Sequence, residues 1–160
     1  MDTNPYSPPT AEVSDPPRPP GSPVAAVLAG LAVDIGGSLS AGFVLVMAYG
    51  VSLVREGLSP EGMAVAMAEL SPWSWPVLGA TVVGCGFSIL GGHVCARIAR
   101  RPGFGLATIV GVLSAGAGVL LSSGKHSLGG EVLLAALTFG SVLLGAWWGR
   151  VRDGRQSMER

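Results

Sequence analysis

Residues 75–101 read WPVLGATVVGCGFSILGGHVCARIARR, and this stretch decides how the chain is understood. It runs for more than twenty apolar or small residues before Arg97, Arg100 and Arg101 close it. A helix of about 20 residues crosses the ~30 Å hydrocarbon core of a bilayer. Arginines are retained on the cytoplasmic side, and tryptophans settle at headgroup level. The stretch therefore predicts a transmembrane helix that begins beside Trp73 and Trp75 and stops in the cytoplasm.

Three more runs of the same character surround it. Residues 24–54 carry one charge, Asp34, and would make a helix of about 46 Å, longer than the hydrocarbon core, so it must tilt or protrude. Residues 104–122 carry no charge, and residues 128–149 carry only Glu131 and end on Trp147 and Trp148. The spans are placed at about 26–52, 75–98, 104–122 and 129–149, within a domain covering 24–150. Only 12% of the 160 residues are charged, about half the share of a soluble domain, while 25 are glycine. Net charge is zero, so overall balance gives no case for a nucleic-acid partner.

The segments outside the spans are polar. Residues 1–23 contain eight prolines with Asp2, Glu12, Asp15 and Arg18, which is neither a signal peptide nor a foldable unit. Proline lacks the amide donor, so a disordered, polyproline-like cytoplasmic tail is expected, with PPRPP at 16–20 as a docking segment or a plain tether. Between the first two spans, Ser59 suits a helix cap, Pro60 the first helical position and Glu61 the positive end. Met63, Ala66, Met67 and Leu70 then share a face, which predicts a short helix lying on the membrane surface. Residues 100–103, Arg-Arg-Pro-Gly, predict a tight turn, and residues 151–160 a basic cytoplasmic tail. Arg18, Arg97, Arg100, Arg101, Arg150, Arg152, Arg155 and Arg160 lie on one side of this topology, against Arg55 and Lys125 on the other. That bias places both termini in the cytoplasm.

Without a hydrophobic drive between helices in lipid, small residues let backbones approach. Gly84, Ser88, Gly92 and Ala96 form such a strip on the second span, Ala107, Gly111 and Ala115 on the third, and Ser141, Gly145 and Gly149 on the fourth. Each is either a packing seam within the chain or a face for self-association. Asp34 is the polar residue with most to explain, because a carboxylate at membrane depth costs about 2.5–3.5 kcal/mol on insertion scales. It should be protonated, paired or near water. With tilt it could meet His93, giving a polar pair that is either a structural hydrogen bond or a site for a proton or cation. Glu131, after Gly129 and Gly130, suits a helix start.

No catalytic, cofactor-binding or metal-binding residue is predicted. Gly124-Lys125-His126-Ser127 fails the phosphate-loop spacing, because position 119 is Val and His126 stands where Ser or Thr must follow the lysine. Cys85 and Cys95 are ten residues apart, roughly 15 Å along a helix, and cannot bridge within it. They read as small packing residues.

The two helical pairs carry echoes of each other. Gly30-Leu31-Ala32 matches Gly105-Leu106-Ala107, and Leu39-Ser40-Ala41-Gly42 matches Leu113-Ser114-Ala115-Gly116 with a one-residue slip. Ser88-Ile89-Leu90 before Gly92, Ala96 and Arg97 matches Ser141-Val142-Leu143 before Gly145, Gly149 and Arg150. This is either a parallel duplication about an axis along the membrane normal or chance likeness among runs of few residue types.

Asn4-Pro5-Tyr6 with Pro8-Pro9, and Gly91-Gly92 followed by Ala96-Arg97 and Arg100, resemble the NPY-x-PP start and the GG-x-x-x-AR-x-x-R helix end of uncharacterised small bacterial four-span inner-membrane proteins. His93 stands where those proteins are expected to carry an aromatic or aliphatic residue. The resemblance implies a multi-pass protein of a bacterial inner membrane and no particular activity. The expectation is an all-α, integral membrane four-helix bundle that is not an enzyme and binds no cofactor. It would act by helix–helix association, as an oligomer or accessory subunit in the bilayer. The alternative is a small transporter or channel subunit using Asp34, with or without His93.

Overall fold

A computed structural model describes residues 21–71, 73–100, 104–122 and 128–156, and over these the chain is all-α. Its helices are α1 (Pro23–Arg55), α2 (Pro60–Ala68), α3 (Trp75–Ala99), α4 (Gly105–Ser122) and α5 (Leu128–Gln156). Three are long and apolar enough to cross a membrane: Pro23–Arg55, Trp75–Ala99 and Leu128–Val151. The apolar part of α4, Gly105–Leu121, is shorter. Its rise is about 27 Å over the whole helix, just under the hydrocarbon thickness. Residues 1–20 of the proline-rich tail, most of the turn after Arg100 and the loop at 123–127 lie outside the described residues. The tail expected over 1–23 ends earlier than that, because Ser22 caps α1 and Pro23 is its first residue.

Local signals account for the helix ends. The Ser22 hydroxyl accepts a bond from the Ala25 amide at 3.4 Å and Pro23 opens α1. At the far end the amide of Leu58 donates to the Leu53 carbonyl and that of Gly57 to Val54. Gly57 has φ +79°, the left-handed conformation that glycine adopts freely, so α1 closes in a Schellman motif with buried Leu53 beneath it. Helix α2 starts as its sequence predicts, with the Ser59 hydroxyl accepting from the Gly62 amide at 3.2 Å. None of its residues is buried; Met67 meets α1 at Gly50. Helix α5 runs on past Gly149 into the basic tail, because no proline or left-handed residue interrupts it before Gln156.

Four helix ends gather at one end of the bundle. Gly21, just ahead of α1, sits against the Ile98 carbonyl near the end of α3. The Arg150 guanidinium of α5 stands 4.0 Å from the centre of the Phe104 ring, which leads into α4. Gly149 of α5 packs on His93 and Ala96 of α3. Helices α1 and α4 therefore leave this arginine-bearing end, and α3 and α5 return to it. Helices α3 and α4 each touch the other three long helices, and α3 is the hub because its seams with α1 and α5 are the most extensive, whereas the described residues of α1 and α5 do not meet.

The core lies toward the same end. Ala26, Cys95, Ala99, Ala107, Val110, Val142 and Ala146 are its buried members. Most are small, which lets the helices approach closely. Large apolar side chains such as Phe43, Val82, Leu120 and Val132 face outward instead, the arrangement of a protein whose solvent is lipid. Arg150 over Phe104 pins two helix ends together. Phe104→Leu should lower stability by about 0.5–1 kcal/mol, a cation–π contribution at a partly exposed site. Thermal unfolding in detergent would read this as a small fall in midpoint.

Candidate functional site

The candidate site is built around Asp34, which is 3% exposed. Asp34 faces inward because Ala26, Gly30 and Asp34 recur at helical spacing on the buried side of α1. Where α1 crosses α3, Gly30 and Gly91 meet. A Cβ on Gly91 would come within 2.7 Å of the Gly30 carbonyl and 2.9 Å of the Asp34 Cβ. Glycine at both positions brings Asp34 against α3, and the Ser88 hydroxyl donates to its Oδ1 at 2.7 Å. The other oxygen, Oδ2, is buried without a hydrogen-bond partner.

The partner anticipated for Asp34 was His93, and the structure supplies Ser88 instead. The reason is angular. Gly91 faces α1 and Gly92 faces α5, about 100° further round the helix. His93 lies another step beyond, edge-on to Trp148 with ring centroids 6.4 Å apart and its Nδ1 buried without a partner.

Several other hydroxyls in these helices bond to their own backbone. Ser40 donates to the Gly36 carbonyl at 2.8 Å, Thr81 to Val77 at 2.9 Å and Thr108 to Phe104 at 3.1 Å, the usual way a helix satisfies serine or threonine in apolar surroundings. Ser88 departs from this by reaching across to α1. Ser114 of α4, 6% exposed, also departs, and its hydroxyl has no partner. Sequence reading assigned Ser114 only to the repeat. Its signal was its place on the Ala107–Gly111 side of α4.

The small-residue strips are spent inside the chain. On α3, Gly84 approaches the Ser38 hydroxyl of α1 and Ser88 bonds Asp34, but Gly92 meets the Val142 carbonyl and Ala96 meets Gly149 of α5. Residues four apart advance about 40° per step, so the strip winds from one neighbour to the other. On α4, Ala107 is buried in the core, Gly111 lies under the Phe139 ring and Ala115 is half-buried. On α5, Gly145 sits on the Ile89 carbonyl, Gly149 on α3, and Ser141 is half-buried. Glu131 lies in the first turn of α5, where a carboxylate favours the helix dipole. Cys85 and Cys95 are free thiols.

Among the described residues no group of three or more His, Cys, Asp or Glu is placed to hold a metal ion. Set beside known protein families, curated proteins and solved structures, the chain matches none of them, so no role transfers from a relative.

Proposed function

We propose that the chain is a four-span membrane protein, both termini cytoplasmic, whose working centre is Asp34: a small transporter or channel subunit that handles a proton or small cation. The observation that carries this reading is the buried, unpartnered Oδ2 of Asp34. A polar group kept in the interior without its full set of bonds costs stability, and ionisable residues at membrane depth mark ion and proton pathways. In liposomes loaded with a pH-sensitive dye, wild type should pass protons or a cation, and Asp34→Asn should remove the flux while the protein still folds. Equal flux in the two would end the proposal.

A second reading is an oligomer or accessory subunit that acts by helix–helix association. Its support comes from glycines that face outward with open space around them, Gly42, Gly86, Gly116 and Gly118, rather than from the strips. Cross-linking through single cysteines at Gly86 or Gly116 should then trap dimers; monomers throughout would remove this reading.

The finer architecture proposed is a pair of duplicated α-hairpins, α1–α3 and α4–α5, with a local twofold along the membrane normal at the α3–α5 seam. The contact of α4 with α3 has no counterpart between the described residues of α1 and α5, so the twofold does not extend to the whole bundle. Gly92 and Gly145 are 53 positions apart, as are Ile89 and Val142. Gly92 packs on the Val142 carbonyl and Gly145 on that of Ile89, the reciprocal exchange a twofold requires. Each hairpin also seats a phenylalanine on a glycine: Phe87 on Gly37, and Phe139 on Gly111. The arginine end is then cytoplasmic, the resemblance suggesting a bacterial inner membrane. Single cysteines at Ser123 and Arg101 test the sidedness: in intact cells an impermeant maleimide should label the first and spare the second.

A further inference from the structure

We infer that Asp34, Ser88 and Ser114 together form a site for one exchangeable proton, bound on Asp34 Oδ2 and shared with the Ser114 hydroxyl. This rests on the Asp34 reading above and names its ligand and the group that receives it.

The three residues converge on one level of the bundle. Val110 of α4 lies beside Gly30 of α1; a Cβ there would be 3.3 Å from Val110 Cγ2. Helices α1 and α4 run in the same direction, so one further turn along each, about 6 Å, brings Asp34 and Ser114 to the same depth. Ser88 is already at that depth, because it bonds Asp34. Direction agrees with depth. On α4, Val110 faces α1 and Gly111 faces Phe139 of α5, and Ser114 projects between those directions, toward the hub helix α3. On α3, Gly91 faces α1 and Gly92 faces α5, and Ser88 projects between them, toward α4.

Two polar atoms are left over at this level, Asp34 Oδ2 and Ser114 Oγ, both buried and both without a partner. One proton resolves both. It is taken from water onto Oδ2, and the new O–H donates to Ser114 Oγ, directly or through one bridging water. The hydrogen bond from Ser88 to Oδ1 is kept throughout. On release the proton returns to water and the bond to Ser114 is lost, so charge and protons balance without another reactant.

The oxygen count argues against a metal cation. The layer offers one carboxylate and two hydroxyls, whereas hard cations such as magnesium and calcium gather six or more oxygens. Other ionisable groups of the packed helices are Cys85, three residues before Ser88 on α3, and Glu131 and Arg150 near the two ends of the α5 span. Helix α3 contributes Cys95, one turn nearer the arginine end against Gly30, and turns His93 toward Trp148. Helix α1 carries no second charge before Arg55, and α4 carries none. Toward the arginine end the buried core lies between this layer and water. Toward the Trp73 end Leu53 and Pro76 are the buried residues that the described helices add, so the layer is less thickly covered on that side.

Infrared difference spectroscopy of the full chain in lipid nanodiscs, recorded across a pH titration, tests the site. A carboxylic-acid C=O band should appear on acidification, move on exchange into D2O and vanish in Asp34→Asn. Ser114→Ala should shift that band, and Ser114→Thr should restore its position. A band lost in Asp34→Asn but unmoved by Ser114→Ala overturns the three-residue site and leaves the Asp34 reading standing. Absence of any Asp34-dependent band overturns the proton. Asp34-dependent protection from unfolding by sodium chloride, with potassium chloride as control, would assign the site to a cation and likewise overturn it. Unchanged liposome flux in Asp34→Asn would fail the underlying reading separately.

Discussion

Gly92→Ala and Gly145→Ala are each expected to prevent the bundle from closing. A Cβ at Gly92 would occupy the position of the Val142 carbonyl, and one at Gly145 that of Ile89. Backbone atoms cannot rotate aside as a side chain can, so α3 and α5 would have to part along their length. Overpacking typically costs about 1–3 kcal/mol, and occasionally more. With the obstacle a carbonyl, we expect the upper end of that range or beyond, read as loss of the monodisperse folded species in detergent. Gly86→Ala and Gly116→Ala are the matched controls, since nothing lies within 4 Å of a Cβ at either position. Alanine is favoured over glycine within a helix by up to about 1 kcal/mol, so these two should be neutral or stabilising. A reversed order would mean that α3 and α5 do not cross where described.

Ser88→Ala should cost more than its one hydrogen bond suggests. Interhelical hydrogen bonds in membranes average about 0.6 kcal/mol, with a maximum near 1.7. Removing the Ser88 hydroxyl, however, leaves the unprotonated Asp34 buried with neither oxygen bonded to protein, which a titration above neutral pH isolates. Orphaning a buried polar group costs about 1–3 kcal/mol, and more when it is charged. The double variant Asp34→Ala, Ser88→Ala removes both halves of the pair, and should unfold no more easily than Ser88→Ala alone. A double-mutant cycle followed by denaturation in mixed micelles measures this. Simple additivity of the two single effects would show that the residues are not coupled.

The number of helices was legible because apolar length is a one-dimensional property, but not every limit: α5 runs on to Gln156, past the end read at 149. Ser59 with Pro60 announced the start of α2 through side-chain chemistry that depends on neighbours in sequence, whereas Ser22 and Pro23, which cap and open α1 in the same way, read in sequence as the end of the proline-rich tail. The partner of Asp34 was not legible. Choosing between Ser88 and His93 needs the angle at which α3 meets α1, and that angle is set where Gly30 and Gly91 touch, 61 positions apart in the chain. Nor could the sequence say that the strip from Gly84 to Ala96 serves two neighbours in turn. A spacing of four residues marks a strip, but its slow rotation matters only once there are two helices to receive it. Ser114 was hidden for a related reason: Ser40, its counterpart in the repeat, bonds the Gly36 carbonyl at the surface, and nothing local distinguishes the two.

The order in which the hub acquires its neighbours has a consequence for biosynthesis. Polypeptides emerge from the ribosome amino end first, at roughly 5–20 residues per second. The contact between Gly30 and Gly91 can form as soon as α3 has left the tunnel, which shelters Asp34 early. The seat for α5 on Gly92 must wait for residues 128–156 and stays bare meanwhile. A nascent chain arrested after α3 is therefore a half-built partner with a vacant groove. It would be the form most open to capture by an insertase, by quality-control proteases or by the second half of another copy.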